Sequence, residues 1–331
     1  MTTVRPETTL RPLSDQDVAE VGRLAREIAA NVGSVIRGKQ DVVEAGVVVL
    51  LAGGHLILED FPGVGKTTLA KALAKSVHCR FSRIQFTPDL LPSDVTGVNI
   101  FNQKTGEFEF RPGPIFADIV LADEINRASP KTQSALLESM QERQVTVDNT
   151  TYRIEPPFMV IATQNPIEYE GTFPLPEAQL DRFMMRLSLG YPTPDDEAAL
   201  LSDQTALPDP IDQVRPVLSA AQLLAMIAAA ARVTTAPSIR RYVVDILSAT
   251  RHQRDLYLGA SPRAGIALLR AAKALALLRG RDFVVPQDIK DLAARVLSHR
   301  VILSPDGRLH GRTGEQIIGE LLAAVPVPPG G

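Results

Sequence analysis

The run Leu56-Ile57-Leu58-Glu59-Asp60-Phe61-Pro62-Gly63-Val64-Gly65-Lys66-Thr67-Thr68 constrains this chain more than any other stretch. An apolar strand empties into a glycine-containing loop, and Gly-Lys-Thr then opens a helix-forming segment, Leu69 to Ser76. That order is what a phosphate-binding loop needs. Gly63 and Gly65 let the backbone curl so that several N–H groups converge on one anion, and the helix N-terminus adds partial positive charge. Lys66 is placed to reach β- and γ-phosphates, and the Thr67 hydroxyl to ligate Mg²⁺. Residues Asp60 to Thr68 are therefore the candidate nucleotide loop. One position departs from the pattern G-x-x-x-x-G-K-[ST]: Asp60 stands where the first glycine is expected. A carboxylate there is compatible with a triphosphate if it points away, and Asp tolerates left-handed backbone better than most residues.

A triphosphatase also needs acid at the end of a buried strand. Ile119-Val120-Leu121-Ala122-Asp123-Glu124 supplies it, and its continuous apolar run is that of a parallel strand covered on both faces. Asp123 would hold Mg²⁺ through water, and Glu124 would polarise the attacking water. A third strand, Phe158 to Thr163, runs into Gln164-Asn165-Pro166. The Asn165 amide at its carboxyl end is a candidate for orienting water against the γ-phosphate. Strands alternating with helices make the chain α/β with a parallel sheet.

Five ordered motifs carry a resemblance. They are the phosphate loop, Asp123-Glu124-Ile125-Asn126-Arg127-Ala128, Ala162-Thr163-Gln164-Asn165-Pro166, Pro174 to Phe183 (containing Glu177 to Arg182), and Ser261-Pro262-Arg263-Ala264. Together they span about residues 20–320, and the chain resembles a MoxR-family AAA+ ATPase. The resemblance implies an α/β AAA+ P-loop core with hairpin insertions, followed by an α-helical lid. It implies ATP/ADP and Mg²⁺ as ligands, and Asp60 matches an acidic variant of the loop within the family. It makes Asn165 the sensor-1 residue, Arg263 the sensor-2 residue and Arg182 the arginine finger that reaches a neighbouring subunit's γ-phosphate. Arg suits either task, because its charge does not titrate and its fork fits phosphate. From the residues alone, Arg182 could equally pair with Asp181, and Arg263 could be a surface helix residue. In the family's layout Val35, Ile36 and Gly38 are candidate adenine contacts; core packing and a turn are the other reading.

Helices are expected at Val18–Ile36 and Gln40–Leu51, and hairpins where Val98–Phe101 meets Phe108–Phe110 and Val145–Val147 meets Thr151–Ile154. The resemblance matches these hairpins to AAA+ inserts that face a central pore or the outer surface. Tyr191-Pro192-Thr193-Pro194 is the expected domain boundary, with Thr193 capping a helix that opens on Pro194. Beyond it the pattern is helical through Ser219–Arg232, Ser238–Arg254, Arg263–Arg279 and Gln287–His299. The expected division is an N-terminal tail at 1–15, the ATPase core at 16–191, the lid at 192–324 and a C-terminal tail at 325–331.

A net charge of −3, 5% aromatic residues and no tryptophan leave no overall basic field and no obvious base-stacking platform. That weighs against the second reading, a DNA-acting AAA+ motor related to replicative helicases. A GTPase is disfavoured because the guanine-reading Asn-Lys-x-Asp is missing. Cys79 is the single cysteine, which agrees with a reducing compartment. No apolar stretch reaches about 18 residues, so a soluble, cytoplasmic protein is expected. The resemblance implies a homo-oligomeric ring, a hexamer first among the options, that acts on a client protein. It also implies a partner bearing a von Willebrand factor A domain, and places the function in assembly, maturation or cofactor insertion of client complexes.

Overall fold

A computed structural model of the protein describes residues 12–166, 171–198 and 210–328. The expected N-terminal tail up to residue 11, and the last three residues of the expected C-terminal tail, lie outside the described residues. Helix α1 (Asp15–Gly33) begins three residues before its expected start and ends three before its expected end. The Ser14 hydroxyl accepts from Asp17 N–H while the Asp17 carboxylate accepts from Ser14 N–H, a reciprocal cap that fixes the start. Helix α2 (Gln40–Leu51) follows, then strand β1 (Leu56–Glu59) and α3 (Lys66–Ser76).

The core sheet is assembled from β1, β2 (Phe81–Gln85), β5 (Ile119–Asp123), β8 (Met159–Gln164) and β9 (Met185–Leu187). Their order is β2-β5-β8-β1-β9, and every pairing is parallel. Alternate side chains serve two separate cores. Leu56, Leu58, Ile119, Leu121, Met159 and Ile161 point to the side packed by α1, α2 and α3. Ile57, Val120, Ala122, Val160 and Ala162 point to the other, where Leu136, Leu137 and Met140 of α5 (Pro130–Glu142) cover them. A strand that must satisfy both faces can carry no polar residue until its end, which is why these segments read as unbroken apolar runs.

Two antiparallel hairpins interrupt the alternation, as expected. β3 (Gly97–Asn102) pairs with β4 (Glu107–Pro112), preceded by a short helix α4 (Pro92–Thr96), and β6 (Gln144–Val147) pairs with β7 (Thr150–Arg153). The second turns on two residues, Asp148 and Asn149, both at positive φ (47° and 70°), a geometry that matches the right-handed twist of the strands. Phe110 stacks on Tyr152 at 3.8 Å, and Asn99 donates to Asp148 at 2.9 Å, so the hairpins lean on each other.

A one-turn helix α6 (Glu177–Leu180) precedes β9. Beyond β9 the chain is helical: α7 (Pro210–Gln213), α8 (Ala220–Arg232), α9 (Pro237–Arg251), α10 (Pro262–Leu278), α11 (Pro286–Leu297), α12 (Pro305–Leu309) and α13 (Gly314–Ala324), with a small hairpin of β10 (Leu256–Leu258) and β11 (Ile302–Leu303). Ser219, Ser261 and Thr313 cap three of these helices through their hydroxyls. Thr193 accepts the Asp196 N–H at 3.2 Å, as its capping role requires. Helix α1 bridges to the lid: Arg26 donates to the Leu278 carbonyl at 2.9 Å. Gly22 allows this close approach, because a Cβ there would lie 2.9 Å from the Leu277 oxygen. No helix among the described residues is long and apolar enough to cross a membrane.

Candidate functional site

The loop after β1 is folded around its own lysine. Lys66 Nζ donates to the carbonyls of Asp60 at 2.6 Å and Phe61 at 2.7 Å. Gly63 and Gly65 sit at φ 81° and 95°, the left-handed region that a side chain would strain. Gly65 is also the N-cap of α3, so no side chain caps the first helical N–H groups there, which are available to an anion. The Asp60 carboxylate is buried and turned the other way. It accepts from Phe61 N–H at 2.9 Å, Ser188 Oγ at 3.0 Å and Gly190 N–H at 2.7 Å, tying the loop to the segment after β9. The carboxylate at the missing glycine position therefore faces away from the space beside Lys66.

The acids at the end of β5 are braced from both neighbouring strands. Thr163 Oγ1, on β8, donates to Asp123 Oδ1 at 2.6 Å and accepts the Glu124 N–H at 2.8 Å. From β2, Arg83 reaches Asp123 Oδ2 at 2.6 Å, and Gln85, two residues on and so on the same face of the strand, donates to Glu124 Oε2 at 2.7 Å. Arg127 adds an ion pair to the same Glu124 oxygen at 3.1 Å. Glu124 stands beyond the strand at φ 56°, a conformation uncommon for this residue type and concentrated at functional sites. Arg83, Gln85 and Thr163 escaped the sequence reading. In the sequence Thr163 stands out only as part of a motif, and the trace of Arg83 and Gln85 is their polar, period-two alternation along an otherwise ordinary edge strand.

Gly63, Lys66, Thr67, Asp123, Glu124 and Asn165 line one cavity of about 310 Å³, together with Pro62, Gly65, Thr68, Thr163 and Gln164. It opens at the carboxyl ends of β1, β5 and β8, the position where parallel sheets hold ligands. Phe61 and Val64 do not line it: Phe61 stacks on Tyr191 with centroids 5.5 Å apart, and Val64 packs against the core. Val35 and Ile36 are buried in the main core, with the end of Ile36 near Gly65, and Gly38 makes a turn against Asp196. None of these three lines the cavity. Thr67 and Asp123 bring hard oxygen donors to the same space, and no cluster of three or more His, Cys, Asp or Glu among the described residues could hold a metal by itself. That donor set suits Mg²⁺, which takes few protein ligands and completes its shell with water and phosphate oxygens.

Arg182 and Arg263 lie elsewhere. With Arg143, Arg270 and Arg300 they line a second cavity of about 250 Å³ that shares no residue with the first. Asp181 is its one acid among the described residues. Arg263 Nε is 3.8 Å from Asp181 Oδ2, and Arg182 Nε is buried with no hydrogen-bond partner among the described residues. Burial, and after it the Arg263 charge, push the Arg182 guanidinium below its ordinary pKa. The cavity thus carries a marked excess of positive charge. His55 completes the wall: Val160 N–H donates to its Nδ1 at 3.0 Å and its Nε2 lies 3.3 Å from the Met140 carbonyl, a pair that needs the neutral ring.

Comparison with known proteins identifies the family. Residues 55–185 match the model of the ATPase family associated with various cellular activities (AAA), and residues 248–321 match the AAA lid domain. The chain is 43% identical to Chaperone MoxR1 of Mycobacterium tuberculosis, over 94% of this chain and 84% of that one. It is 32% identical to Protein MoxR of Paracoccus denitrificans, over 95% and 99%. The chain belongs to the MoxR family of AAA+ ATPases. Protein YeaC of Bacillus subtilis, whose function is uncharacterized, is 52% identical over 90% of this chain and 93% of its own. The crystal structure of a candidate ATPase from Cytophaga hutchinsonii superposes with a TM-score of 0.88 at 40% identity, covering 95% and 98%. Within this MoxR chain, the matched AAA segment holds the phosphate loop, both acids, Asn165 and Arg182, while the matched lid segment holds Arg263 and Arg300.

Proposed function

We propose that this AAA+ ATPase hydrolyses ATP at the interface between subunits of a homo-oligomeric ring, a hexamer first among the options, and uses the lid's motion to remodel a client protein. One observation carries the reading: the lysine and the acids line one cavity, and the arginines line another with which it shares no residue. A triphosphate seated on Gly63 to Thr68 needs positive charge where its transition state gains negative charge, and among the described residues Lys66 is the one arginine or lysine lining that cavity. A neighbour's Arg182 and Arg263 would supply it. Mg²⁺, when held by Thr67 and Asp123, would neutralise charge on the β- and γ-phosphates. Glu124 takes the proton of the attacking water once its carboxylate leaves Gln85 and Arg127, and Asn165 orients that water.

The client role rests on the relative named Chaperone MoxR1. Help in assembly, maturation or cofactor insertion, a von Willebrand factor A domain partner and a cytoplasmic setting are parts of the same proposal. The test mixes Arg182→Ala with Lys66→Ala, each expected to hydrolyse poorly alone. Mixed rings contain interfaces that join an intact phosphate loop to an intact arginine, so partial activity should return, and native mass should show ring formation with ATP. Subunit exchange without any recovery would sink the interface reading.

A further inference from the structure

Arg300 is a lid residue, in the 3₁₀ turn Ser298–Arg300 that follows α11, and its side chain is 3% exposed. Its guanidinium has five N–H donors, and five acceptors surround it. Nε donates to Asp181 Oδ1 at 2.7 Å. One terminal nitrogen donates to the carbonyls of Asp181 at 3.1 Å and Phe183 at 2.7 Å. The other donates to the Met184 carbonyl at 3.0 Å and to the Val296 carbonyl on its own side. The fork thus grips residues 181, 183 and 184, the residues on either side of Arg182, and leaves Arg182 itself untouched. His299 adds a contact to the same stretch, its Nε2 lying 3.1 Å from the Phe183 carbonyl.

From this clamp we infer that Arg300 is the positioning residue for Arg182, so that lid and finger move as one body. The inference rests on the proposal that Arg182 serves a neighbour's nucleotide. Burying a guanidinium is costly, and an apolar side chain would fill the same volume more cheaply. What an apolar side chain lacks is a rigid fork that fixes three backbone positions at once. Arg182 needs that help, because its own Nε has no partner among the described residues to hold it. Asp181 extends the clamp: its carboxylate stands between Arg300 at 2.7 Å and Arg263 at 3.8 Å, so Arg182 and Arg263 are referenced to one lid–core joint. When a subunit's lid shifts on its own nucleotide, the arginines it offers next door shift with it. Each subunit thereby reports its lid position to the neighbouring ATP.

Arg300→Lys in the full chain tests this, since an ammonium keeps the charge but not the fork. The expected result is a fall in kcat on the order of 10- to 10²-fold, the scale of a small misplacement of a catalytic group, with nucleotide Kd within about twofold. Mixing Arg300→Lys with Lys66→Ala should restore activity as Arg182→Ala does, because the Lys66→Ala subunit brings an intact clamp. A wild-type kcat overturns the inference. So does a loss that Lys66→Ala subunits repair for Arg182→Ala but not for Arg300→Lys, since the lesion would then lie in the variant's own site. Should Arg300→Lys not fold, Asp181→Ala, at a position that is partly exposed, carries the same measurements, and an unchanged kcat there again overturns it. If the Arg182→Ala and Lys66→Ala pair itself recovers nothing, the interface reading falls first, and this inference with it.

Discussion

The phosphate-loop cavity and the arginine cavity of this protein are built in opposite ways. The first is lined by a lysine, two acids and an amide, all at or near the ends of three adjacent parallel strands, and its acids already have partners in Arg83, Gln85, Arg127 and Thr163. The second gathers five arginines around one carboxylate from segments far apart in the chain, with core and lid both contributing. On the proposed function, the first cavity seats a triphosphate and activates water, yet among the described residues Lys66 alone brings it a lysine or arginine charge. The other carries five arginines against one acid among the described residues. Their complementarity is the physical case for placing catalysis where two subunits meet.

The largest effect that bears on this contrast is expected from Glu124→Gln. Hydrolysis should fall by roughly 10²- to 10⁴-fold, the range for losing a general base, with ATP binding kept. Paired with Arg182→Ala in mixed rings it should recover, since the lesions lie in different cavities; paired with Lys66→Ala it should not, since they share one. Recovery in the second pairing would break the comparison outright. A smaller effect separates binding from transition-state charge. Lys66→Ala should weaken ATP and ADP binding by about 2–3 kcal/mol, roughly 30- to 150-fold, whereas Arg182→Ala should leave affinity almost unchanged. Calorimetric titration of both variants reads the difference, and equal losses would erase the distinction between the cavities.

The smallest effect concerns stability in the wall of the arginine cavity. Burial pushes the His55 pKa from an ordinary 6.5 down to about 4, and it drives His299 lower as well. As pH falls the unfolded chain takes up these protons first, so stability is intact above about 6.5 and is lost toward 4, by about 1.4 kcal/mol per unit for each ring. Urea unfolding between pH 6.5 and 5 should therefore show a slope that His55→Gln roughly halves. An undiminished slope would mean that His55 is not held neutral by its burial.

Much of the core was legible in the sequence because its signals are contiguous. Gly63 and Gly65 mark positive φ, the unbroken apolar runs mark strands buried on two faces, and Ser219 marks a helix start. The first helix was misplaced by three residues because its start depends on the reciprocal cap of Ser14 and Asp17, while the apolar pattern begins later, at Val18. The two hairpins were found from their turns, but the Phe110–Tyr152 stack that joins them was not.

By itself, then, the sequence determined which segments become strand, loop and helix, and which residues could touch a phosphate, because backbone geometry is decided by adjacent residues. Tertiary structure decided who partners whom. Asp60 was freed from conflict by Ser188 and Gly190, Asp123 was braced by Arg83 from 40 residues away, and Arg182 was framed by Arg300, whose contact with Asp181 spans 119 residues. Those pairings have no local signature. They arise when apolar faces are buried together and each polar group carried inside must meet a partner, wherever in the chain that partner lies.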